Sequence, residues 1–536
     1  MQAKQLTLTL LLQRAESLFY YKTVASRNAK GEISYLDYGQ LTQRVRKLIT
    51  ALNSFGIPKT ARVASFCFNH SSHLELYFAL GCSGRILHTL NIRSSAKDLV
   101  FIIRQAEDEI FFVDKSLLDV FVDVLDLAGV GKKIVVIDDV GDTKVDESQF
   151  LKYENLILSS DPAEFEEIDE NLYCSMCYTS GTTGVPKGVL YSHRSSVLHA
   201  MSLMTKDSFA IGESDVIMPV VPMFHVNAWG LPYAAVFSGA KLVLPGPYPN
   251  GYDLINLIES QQVTLAAGVP SVWVDILEKI TDDKTLSSLR MIVSGGSNLA
   301  NSLFENYKQR FGVNILQAWG MTETYPTISI WNPNIAKRLD SGISHGIPVA
   351  GMNVRIADLD TGEVLSNDAI SKGELQVEGL WTMDGYYKDD NQESFTKDGW
   401  LRSGDIATID EFGSIKIEDR IKDLIKSGGE WISSIEIENA LLSHSEITQA
   451  AVIGYPHEKW GERPLACVVS TNPALDEQAI EDFIEDKLPR YYNPILIVIV
   501  KDIPKTSVGK IDKRALRRGF SQDNMGRIII STDRLE

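Results

Sequence analysis

The chain is poor in cysteine, in basic charge and in long apolar runs, and each shortage argues against a class of protein. Five cysteines in 536 residues do not suggest the disulfide framework of a small secreted domain. Cys174 and Cys177 have the spacing of a metal-binding pair, but no second pair and no pair of histidines lies nearby in the sequence. We therefore expect both cysteines to be buried structural thiols.

Charge and hydropathy limit the environment further. Acidic residues outnumber basic residues by 70 to 52, and the net charge of −18 disfavours nucleic acid and anionic membranes as partners. Apolar runs such as residues 495–500 are far too short to span a bilayer. We see no basic segment followed by an apolar stretch and a small-residue cleavage site, and we expect no secretory signal. The sequence predicts a cytoplasmic protein without a transmembrane anchor.

The first part of the chain alternates between helix and strand patterns. The length predicts at least two domains. Apolar residues recur at helical spacing over 41–55, and the segment 56–58, Gly-Ile-Pro, ends that helix. Residues 62–68 and 133–137 have the composition of short buried strands. Such alternation predicts mostly parallel sheets, which bind ligands beyond the carboxyl ends of their strands. The segment 291–296, a strand that ends in two glycines, is of that form.

After about residue 350 the segments become shorter and richer in turns. Glycine-containing turns at 360–362, 397–399 and 411–413 predict β-hairpins and a small barrel-like subdomain. The last part is again mixed. Ser433 and Glu436 predict a capping box for a helix that runs to about Leu442, and residues 450–453 follow as a strand.

A polar loop at 178–188, with the sequence Tyr-Thr-Ser-Gly-Thr-Thr-Gly-Val-Pro-Lys-Gly, is the most informative segment. Freed backbone N–H groups, hydroxyl donors and one lysine are what a polyphosphate needs around it. The loop is not a Walker A motif, because Pro186 stands where that motif needs glycine and Gly188 replaces its magnesium-binding Ser or Thr. Pro186 also disfavours a helix that would begin at Lys187. The segment predicts a phosphate-binding loop of another class.

Further motifs follow this loop and extend over nearly the whole chain. They are Trp-Gly-Met-Thr-Glu at 319–323, Gly-Glu-Leu-Gln-Val-Glu-Gly at 373–379, Ser-Gly-Asp at 403–405, Asp-Arg-Ile-Lys-Asp at 419–423, Ser-Gly-Gly-Glu at 427–430 and Pro-Lys-Thr-Ser-Val-Gly-Lys at 504–510. The set resembles the adenylate-forming superfamily of acyl-CoA synthetases, luciferases and peptide-synthetase adenylation domains. Within it, segments 223–233 and 426–433 look most like bacterial medium- to long-chain fatty-acyl-CoA synthetases.

The resemblance implies a fold and a reaction. The fold would be α/β, with a large N-terminal domain of stacked, mostly parallel sheets plus a small β-barrel subdomain, and a small mobile α+β C-terminal domain. Residues 1–420 would form the adenylation domain, which binds ATP and the acyl group, and residues 421–536 the lid. The acid's carboxylate would attack the α-phosphate of ATP and release pyrophosphate. The thiol of coenzyme A would then attack the acyl carbonyl and release AMP.

The family motifs also imply a nucleotide site that uses ATP and Mg²⁺. The loop would hold the β- and γ-phosphates, Glu323 and Thr179 would hold the metal ion, and Trp319 would stack on adenine. Gly295, Gly296 and Ser297 would line the opposite side of adenine. Asp405 would accept the ribose hydroxyls, and Arg420 would add a second ribose contact. The implied ATP- and AMP-binding residues are Thr179, Ser180, Gly181, Thr182, Thr183, Gly184, Lys187, Gly295, Gly296, Ser297, Gln317, Ala318, Trp319, Gly320, Thr322, Asp405, Arg420, Lys422 and Lys426.

Catalysis would depend on Lys510, whose charge can reach both the attacking carboxylate and the bridging oxygen. Lys187 and His225 complete the implied catalytic set. Because Lys510 would block the entry of the thiol, the family rotates its C-terminal domain about a hinge, here at Lys422. Rotation would withdraw Lys510, bring Lys426 toward the AMP phosphate and present a coenzyme A loop. The implied coenzyme A residues are Ser427, Gly428, Gly429, Glu430 and Trp431, with core packing as the alternative for Trp431.

The acyl side is apolar and aromatic. Segment 223–233 contains no Lys or Arg to pair with a second substrate carboxylate, which suits an alkyl tunnel. The implied acyl-binding residues are His225, Val226, Trp229 and Gly230, with Trp229 as a candidate gate. The alternative for His225 is a satisfied core histidine, and we expect His193 to be structural.

Several alternatives stay open at this point. The acid could be a short thioether, branched or aryl acid, or the adenylate could pass to a carrier protein, although no insertion between the domains supports that. Nothing points to a luciferase. In another class, the chain could be a catalytically inactive acyl-binding protein, against which the functional lysines and carboxylates of the motifs argue. Residues 6–19, apolar and helical in pattern, could swap or pack between the subunits of a homodimer.

Overall fold

The structure is a computed structural model that describes residues 3–179, 185–282, 284–333, 343–389, 392–428, 430–494, 496–506 and 511–520. The chain divides into two compact units. The first comprises Met1–Leu299, Glu305–Asn353 and Glu378–Gly399, and the second comprises Ala300–Phe304, Val354–Val377 and Trp400–Glu536. The predicted boundary after residue 420 falls inside the second unit and stays a prediction.

The strands of the first unit form two large sheets. They are β1 (Thr23–Arg27), β2 (Ile33–Asp37), β3 (Arg62–Phe66), β4 (Ile86–Thr89), β5 (Phe111–Asp114), β6 (Ile134–Ile137), β7 (Leu151–Lys152), β8 (Tyr173–Thr179), β9 (Lys187–Ser192), β10 (Val216–Pro219), β11 (Lys241–Leu244), β12 (Leu265–Gly268), β13 (Met291–Gly295), β14 (Ile315–Gly320), β15 (Thr327–Trp331) and β16 (Ile347–Pro348). One sheet has nine strands in the order β16-β15-β14-β13-β12-β10-β11-β1-β2, and the other has seven in the order β7-β6-β5-β3-β4-β8-β9.

Most neighbouring strands in both sheets are parallel, as predicted. The antiparallel pairs are β1/β2, β14/β15 and β15/β16 in one sheet and β8/β9 in the other. Every residue of β5 and of β6 is buried, as expected for strands covered on both faces. The predicted strands at 62–68 and 133–137 are confirmed as β3 and β6.

The helices of this part of the chain are α1 (Leu8–Leu18), α2 (Tyr38–Ser54), α3 (Ser71–Gly81), α4 (Ala96–Ala106), α5 (Leu118–Ala128), α6 (Tyr153–Ser159), α7 (His193–Met204), α8 (Val226–Trp229), α9 (Leu231–Ser238), α10 (Gly251–Gln261), α11 (Pro270–Lys279) and α12 (Asn301–Phe311). The helix predicted at 41–55 is confirmed as α2. It begins with a capping box between Asp37 and Gln40 and buries Leu41, Val45 and Leu48. Among the described residues, no helix combines the length and the apolar character that a membrane span needs.

Helix α1 corrects the expectation that this segment packs between subunits, whereas its exchange between subunits stays a prediction. Leu8, Leu11, Leu12 and Ala15 on its apolar face are completely buried. The helix packs against α2, α3, α7 and α9 of the same chain. This face is therefore part of the core of the first unit and is not available to a second subunit.

The second unit contains two smaller sheets. Its strands are β17 (Met352–Ala357), β18 (Gly373–Gly379), β19 (Leu401–Ile409), β20 (Ile415–Arg420), β21 (Ile425–Ser427), β22 (Glu430–Ile432), β23 (Ile447–His457), β24 (Gly461–Ser470) and β25 (Leu496–Ile499), and its helices are α13 (Ser434–Leu442), α14 (Glu477–Glu485) and α15 (Lys513–Gly519). Of the three predicted hairpin turns, 411–413 joins the antiparallel strands β19 and β20, and 360–362 lies inside the bridge between Ala357 and Val364. The turn at 397–399 lies instead in the long connection between β18 and β19, so the described residues form no hairpin there. The four strands form a sheet of order β17-β18-β19-β20, and its closure into a barrel stays a prediction. The other sheet has the order β22-β21-β24-β23, with β25 parallel to β24.

The predicted helix and strand of the last part are confirmed. The Ser433 hydroxyl accepts the N–H of Glu436 at 3.2 Å and caps α13, which ends at Leu442 as expected. Residues 450–453 belong to the longer strand β23. Apolar side chains of α13, α14 and the five-stranded sheet pack into one cluster, which includes Ile437, Val452 and Ile480.

The predicted burial of the two cysteines is confirmed. Cys174 and Cys177 both lie in β8 and are completely or almost completely buried. Burial raises the pKa of the Cys174 thiol to about 12 and that of the Cys177 thiol to about 11. The thiol of Cys174 is 3.3 Å from the hydroxyl of Ser196, and that of Cys177 is 3.2 Å from the hydroxyl of Thr89. Both thiols therefore stay protonated and pack as structural side chains.

Candidate active site

The residues predicted to surround adenine follow two neighbouring strand ends. Strands β13 and β14 are parallel, and Gly295 lies opposite Ala318 in their register. The buried side chain of Gln317 accepts the N–H of Leu299 at 3.0 Å and so ties the loop after β13 to β14. Trp319, which is half-buried, lies at the end of β14. Parallel sheets bind ligands at this edge, so the sheet itself brings the predicted adenine-binding residues together.

Trp229 connects the predicted acyl wall to this strand end. The side chain is 7% exposed. A Cβ atom on Gly295 would lie only 3.1 Å from Cη2 of Trp229 and 3.0 Å from the carbonyl oxygen of Ala318. A side chain at 295 would therefore crowd the indole and the neighbouring strand, and glycine leaves the indole room at the strand end. The structure places the predicted gate of the acyl tunnel directly against a predicted nucleotide-binding residue.

A left-handed turn directs Trp229 to that position. Val226, Asn227, Ala228 and Trp229 have φ angles of 44°, 48°, 49° and 57°, and Gly230 follows at 70°. Each L-residue in this conformation costs roughly 1–2 kcal/mol. Such clusters persist only where the surrounding packing enforces them, and they concentrate at functional sites. The four residues before the glycine are all buried, and the turn is a structural feature that sequence patterns did not predict.

The chain before this turn is anchored by hydrogen bonds from a distant part of the sequence. The side-chain amide of Asn69 accepts the N–H of Met223 at 2.7 Å and donates to the carbonyl of Val221 at 2.9 Å. The Thr89 hydroxyl donates to the carbonyl of Phe224 at 3.1 Å. His225 is half-buried immediately before α8. Its assignment to the carboxylate-binding wall stays a prediction.

The structural role predicted for His193 agrees with its burial. Nδ1 of His193 accepts the N–H of Leu8 at 3.3 Å, which ties α7 to the start of α1. Burial lowers the pKa of His193 to about 4, so the ring is neutral at physiological pH.

Lys187 and Glu323, predicted to bind phosphate and magnesium, lie on either side of one tyrosine. Nζ of Lys187 is 4.5 Å from the ring centroid of Tyr386 and 3.0 Å from Oδ2 of Asp389. The Tyr386 hydroxyl donates to Oε1 of Glu323 at 2.6 Å. Glu323 is 7% exposed. Sequence reasoning missed Tyr386 and Asp389. Both lie far along the chain from the phosphate loop and from Glu323, and no sequence motif links them to either.

Thr179 lies opposite Lys187 in the β8/β9 pair. The strands therefore bring the first and last predicted contacts of the phosphate loop together. The loop residues Ser180, Gly181, Thr182, Thr183 and Gly184 lie outside the described residues, and their roles stay predictions.

The surroundings of Glu323 suit a hard cation. The residue is mostly buried, Oε1 accepts from a neutral hydroxyl, and among the described residues we find no hydrogen-bond partner for Oε2. Oxygen ligands of this kind are what Mg²⁺ prefers, together with phosphate oxygens and water. The residues present therefore fit the predicted ion.

A second group of potential metal ligands does not suit a metal. Ligand atoms of Cys67, His70 and Asp114 lie within 4.8 Å of one another. Nδ1 of His70 accepts the N–H of His73 at 3.2 Å, and its Nε2 is 2.8 Å from Oδ1 of Asp114. Both ring nitrogens are thus engaged, and a metal on Nε2 would require an anionic imidazole ring. This cluster is better explained as support for the start of α3.

In the second unit, the two predicted ribose contacts form an ion pair. Asp405 and Arg420 lie opposite each other in the β19/β20 pair, with Nε of Arg420 2.9 Å from Oδ1 of Asp405. The N–H of Asp405 donates to the Ser403 hydroxyl at 3.0 Å. Lys422, the predicted hinge, is exposed in the turn after β20. The motifs at 403–405 and 419–423 are therefore neighbours across two strands, and their role at the ribose stays a prediction.

The predicted coenzyme A loop is the turn of the β21/β22 hairpin. Lys426 lies opposite Trp431, and its Nζ is 5.2 Å from a ring centroid of that residue. The N–H of Gly428 donates to the carbonyl of Trp460 at 2.9 Å, and a Cβ on Gly428 would lie 2.7 Å from Cε3 of Trp460. Trp431 is 49% exposed, so core packing is the wrong alternative for it. Gly429 lies outside the described residues.

Lys510 also lies outside the described residues, but the helix that follows it is firmly held. Nζ of Lys513 is 2.7 Å from Oε1 of Glu438 and 2.6 Å from the hydroxyl of Ser434. Arg517 donates to Asp423 at 2.6 Å and to the carbonyl of Lys422 at 3.4 Å. Helix α15, which begins three residues after Lys510, is therefore fixed to the turn that contains the predicted hinge.

Comparisons with known proteins agree with the motifs. Residues 17–387 match the model of the AMP-binding enzyme family, and residues 436–510 match that of the AMP-binding enzyme C-terminal domain. A long-chain-fatty-acid–CoA ligase of Thermus thermophilus is 40% identical over 97% of this chain and 96% of its own. A medium-chain-fatty-acid–CoA ligase of Ectopseudomonas oleovorans is 38% identical over 97% of each. A 3-methylmercaptopropionyl-CoA ligase of Ruegeria lacuscaerulensis is 37% identical over 97% and 98%.

Solved structures confirm the fold. An anthranilate CoA ligase in complex with anthranoyl-AMP superposes with a TM-score of 0.86 at 23% identity, over 97% of this chain and 98% of that one. ATP-bound MatB from Rhodopseudomonas palustris superposes with a TM-score of 0.84 at 23% identity, over 97% and 100%. Together with the family models and the sequence relatives, they confirm the predicted resemblance: this chain belongs to the AMP-binding enzyme family, and fatty-acid–CoA ligases are among its relatives.

Proposed function

We propose that this protein is an ATP-dependent acid–CoA ligase that forms an acyl-AMP intermediate and then acyl-CoA, with medium- to long-chain fatty acids as its substrates. The observation that carries the proposal is the contact of Trp229 with Gly295. It joins an apolar wall, without Lys or Arg over 223–233, to the strand end predicted to bind the nucleotide. An acid bound along that wall would present its carboxylate at the α-phosphate of ATP.

In the first step, a carboxylate oxygen attacks the α-phosphorus and pyrophosphate leaves. Both reactants are anions, so cations and N–H donors must neutralise the developing charge. Lys187 and the loop that precedes it would bind the β- and γ-phosphates, and Lys510 would stabilise the α-phosphate and the attacking oxygen. When bound, Mg²⁺ supplies further charge neutralisation, and Glu323 with Thr179 would hold it.

In the second step, the thiol of coenzyme A attacks the acyl carbonyl and AMP leaves. We propose that the residues after 420 rotate about Lys422, so that Lys510 withdraws and the hairpin turn at 427–430 replaces it. Lys426 would then approach the AMP phosphate. The exposed ring of Trp431 would pack on the pantetheine arm, beside the turn that Gly428 keeps free of side chains.

The rival substrate class is a short thioether acid, because 3-methylmercaptopropionyl-CoA ligases are 37% identical to this chain. An assay of fatty acids from butyrate to stearate, together with 3-(methylthio)propionate and benzoate, distinguishes the two substrate classes. Pyrophosphate release and loss of coenzyme A thiol are both measured. For an alkyl tunnel, kcat/KM rises about fourfold per added CH₂, since each buried CH₂ contributes about 0.8 kcal/mol, until the tunnel is full.

We expect the maximum between octanoate and palmitate. A maximum at 3-(methylthio)propionate would assign the protein to the thioether acids, and the absence of pyrophosphate release with every acid would favour an inactive acyl-binding protein. Lys510→Ala serves as the control, with adenylation slower by orders of magnitude and acid binding retained.

Three further proposals accompany this function. The dependence on Mg²⁺ is tested by chelation and add-back during the pyrophosphate assay. The predicted cytoplasmic location is tested by cell fractionation, and the predicted homodimer by light scattering of the purified chain.

A further inference from the structure

Tyr386 occupies a position between two charged groups that the proposed function needs. Its hydroxyl donates to Oε1 of Glu323 at 2.6 Å, and its ring centroid is 4.5 Å from Nζ of Lys187. The two charged residues belong to separate motifs, and the tyrosine is 63 residues beyond Glu323 in the chain. None of the motifs that point to the family contains it.

The backbone holds Tyr386 in this place from both sides. The N–H of Met383 donates to the carbonyl of Glu323 at 2.9 Å, and the N–H of Tyr387 donates to the carbonyl of Gly188 at 2.8 Å. Tyr386 itself pairs with Val189 in an isolated antiparallel bridge. The segment is thus attached both to Glu323 and to the strand that begins at Lys187, so the hydroxyl has a fixed position relative to the carboxylate.

A hydroxyl is a suitable partner for a carboxylate that must also bind a cation. It orients one oxygen without neutralising the negative charge, whereas a lysine or arginine in its place would compete with the metal ion. Because Oε1 accepts this hydrogen bond, Oε2 is the oxygen left for a ligand.

We infer that Tyr386 is a positioning residue for magnesium: its hydroxyl holds Glu323 so that Oε2 meets the Mg²⁺ of the bound ATP. The inference rests on the proposed function, since the role of Glu323 is part of it. Partners of metal ligands typically change metal affinity by about 10–100-fold when they are removed. The effect should appear in magnesium affinity, because the hydroxyl contacts the predicted metal ligand, while its ring remains beneath Lys187 in a phenylalanine variant.

The test is Tyr386→Phe in the full chain, measured by calorimetric titration of ATP without acid substrate. Titrations in EDTA and at a series of Mg²⁺ concentrations separate metal-free ATP affinity from the magnesium dependence. We expect metal-free affinity to remain within about twofold of the parent and the Mg²⁺ concentration for half-maximal tightening to rise about tenfold or more. Tyr387→Phe is the matched control, since it removes a hydroxyl from the next residue, and it should behave as the parent does.

A double-variant cycle makes the result specific to the proposed contact. In a Glu323→Gln background, which weakens the magnesium dependence by itself, Tyr386→Phe should add no further change. An unchanged magnesium dependence in Tyr386→Phe, or the same loss in both backgrounds, overturns the inference. Failure of the proposed function has a different signature, namely no pyrophosphate release from the parental protein with any acid.

Discussion

Lys513 is the cation of a mostly buried ion cluster in the second unit, and its replacement gives the most quantitative prediction. Lys513 and Glu438 are 13% and 14% exposed, with Nζ 2.7 Å from Oε1. Ser434 connects a second carboxylate to this pair. Its backbone N–H donates to the carboxylate of Asp419, and its hydroxyl accepts a hydrogen bond from Nζ of Lys513. Burial lowers the pKa of Lys513, but Glu438, Asp419 and then Asp423 raise it by more, so the net shift is upward.

The variant Lys513→Met keeps an unbranched stem of similar length but removes the charge. Glu438 would then be an anion in the protein interior with its cation removed. Breaking a buried pair in this way typically costs 3–5 kcal/mol. For a unit of this size, each kcal/mol of lost stability lowers the midpoint of the thermal transition by roughly 2–4 °C. The midpoint should therefore fall by about 6–20 °C.

The loss of stability in Lys513→Met should be larger at high pH than at low pH. Burial already raises the pKa of Glu438, although Lys513 opposes the shift, so removal of the lysine raises this pKa further. A carboxyl group whose folded pKa is raised destabilises the fold above that pKa and ceases to do so once it is protonated. The deficit of Lys513→Met is therefore full at pH 8 and shrinks as the pH falls through the raised pKa of Glu438.

The measurement is amide hydrogen exchange of α13 and α15, together with a thermal scan, at pH 8 and at pH 5.5. Lys505→Met is the matched control, because Lys505 pairs with Asp502 at the surface at 3.2 Å, where such pairs contribute about 0–1 kcal/mol. Lys513→Met combined with Glu438→Gln should recover most of the loss. If Lys513→Met costs no more than the control, or costs more at pH 5.5 than at pH 8, the electrostatic reasoning is wrong.

Two further variants test the predicted phosphate and coenzyme A contacts. Gly428→Ala would place a Cβ 2.7 Å from the ring of Trp460 at a residue with φ of 61°, and should slow the coenzyme A-dependent step about tenfold or more. Adenylation without coenzyme A should be unchanged, and an equal loss in both steps would contradict a role confined to the thiol. Asp389→Asn removes the counter-ion of Lys187 and should tighten ATP binding up to about fivefold, since a partly solvated pair of this kind is worth about 1 kcal/mol. Weaker binding by titration would show instead that the aspartate supports the site.

The helices and strands whose position depends on residues close together in the sequence were predictable. The helix α2, with its apolar positions and its Gly-Ile-Pro end, and the buried strands β3 and β6 are found where the patterns placed them. The same holds for the cap of α13 at Ser433. In each case the period of apolar residues and the end signals lie within one short segment, so local physics determines the result.

The strand-end motifs were predictable for a related reason. Gly295 is closely approached, because a Cβ there would meet two neighbouring groups at about 3 Å. The turn at Gly428 is approached as closely, with its left-handed backbone and the ring of Trp460 beside it. A glycine at such a position can be recognised in the sequence itself.

The sequence by itself determined several helices and strands and an alternation that predicts mostly parallel sheets, because apolar period, glycine and charge act over short stretches of chain. It also contained the motifs whose resemblance to adenylate-forming enzymes implied the class of fold. Only the tertiary structure decided that Tyr386 joins Glu323 to Lys187, that a left-handed turn carries Trp229 to Gly295, and that α1 is covered by its own chain. These contacts join residues far apart in sequence through sheet register and packing. Register is set between strands, so the spacing of residues along the chain does not predict which of them will meet.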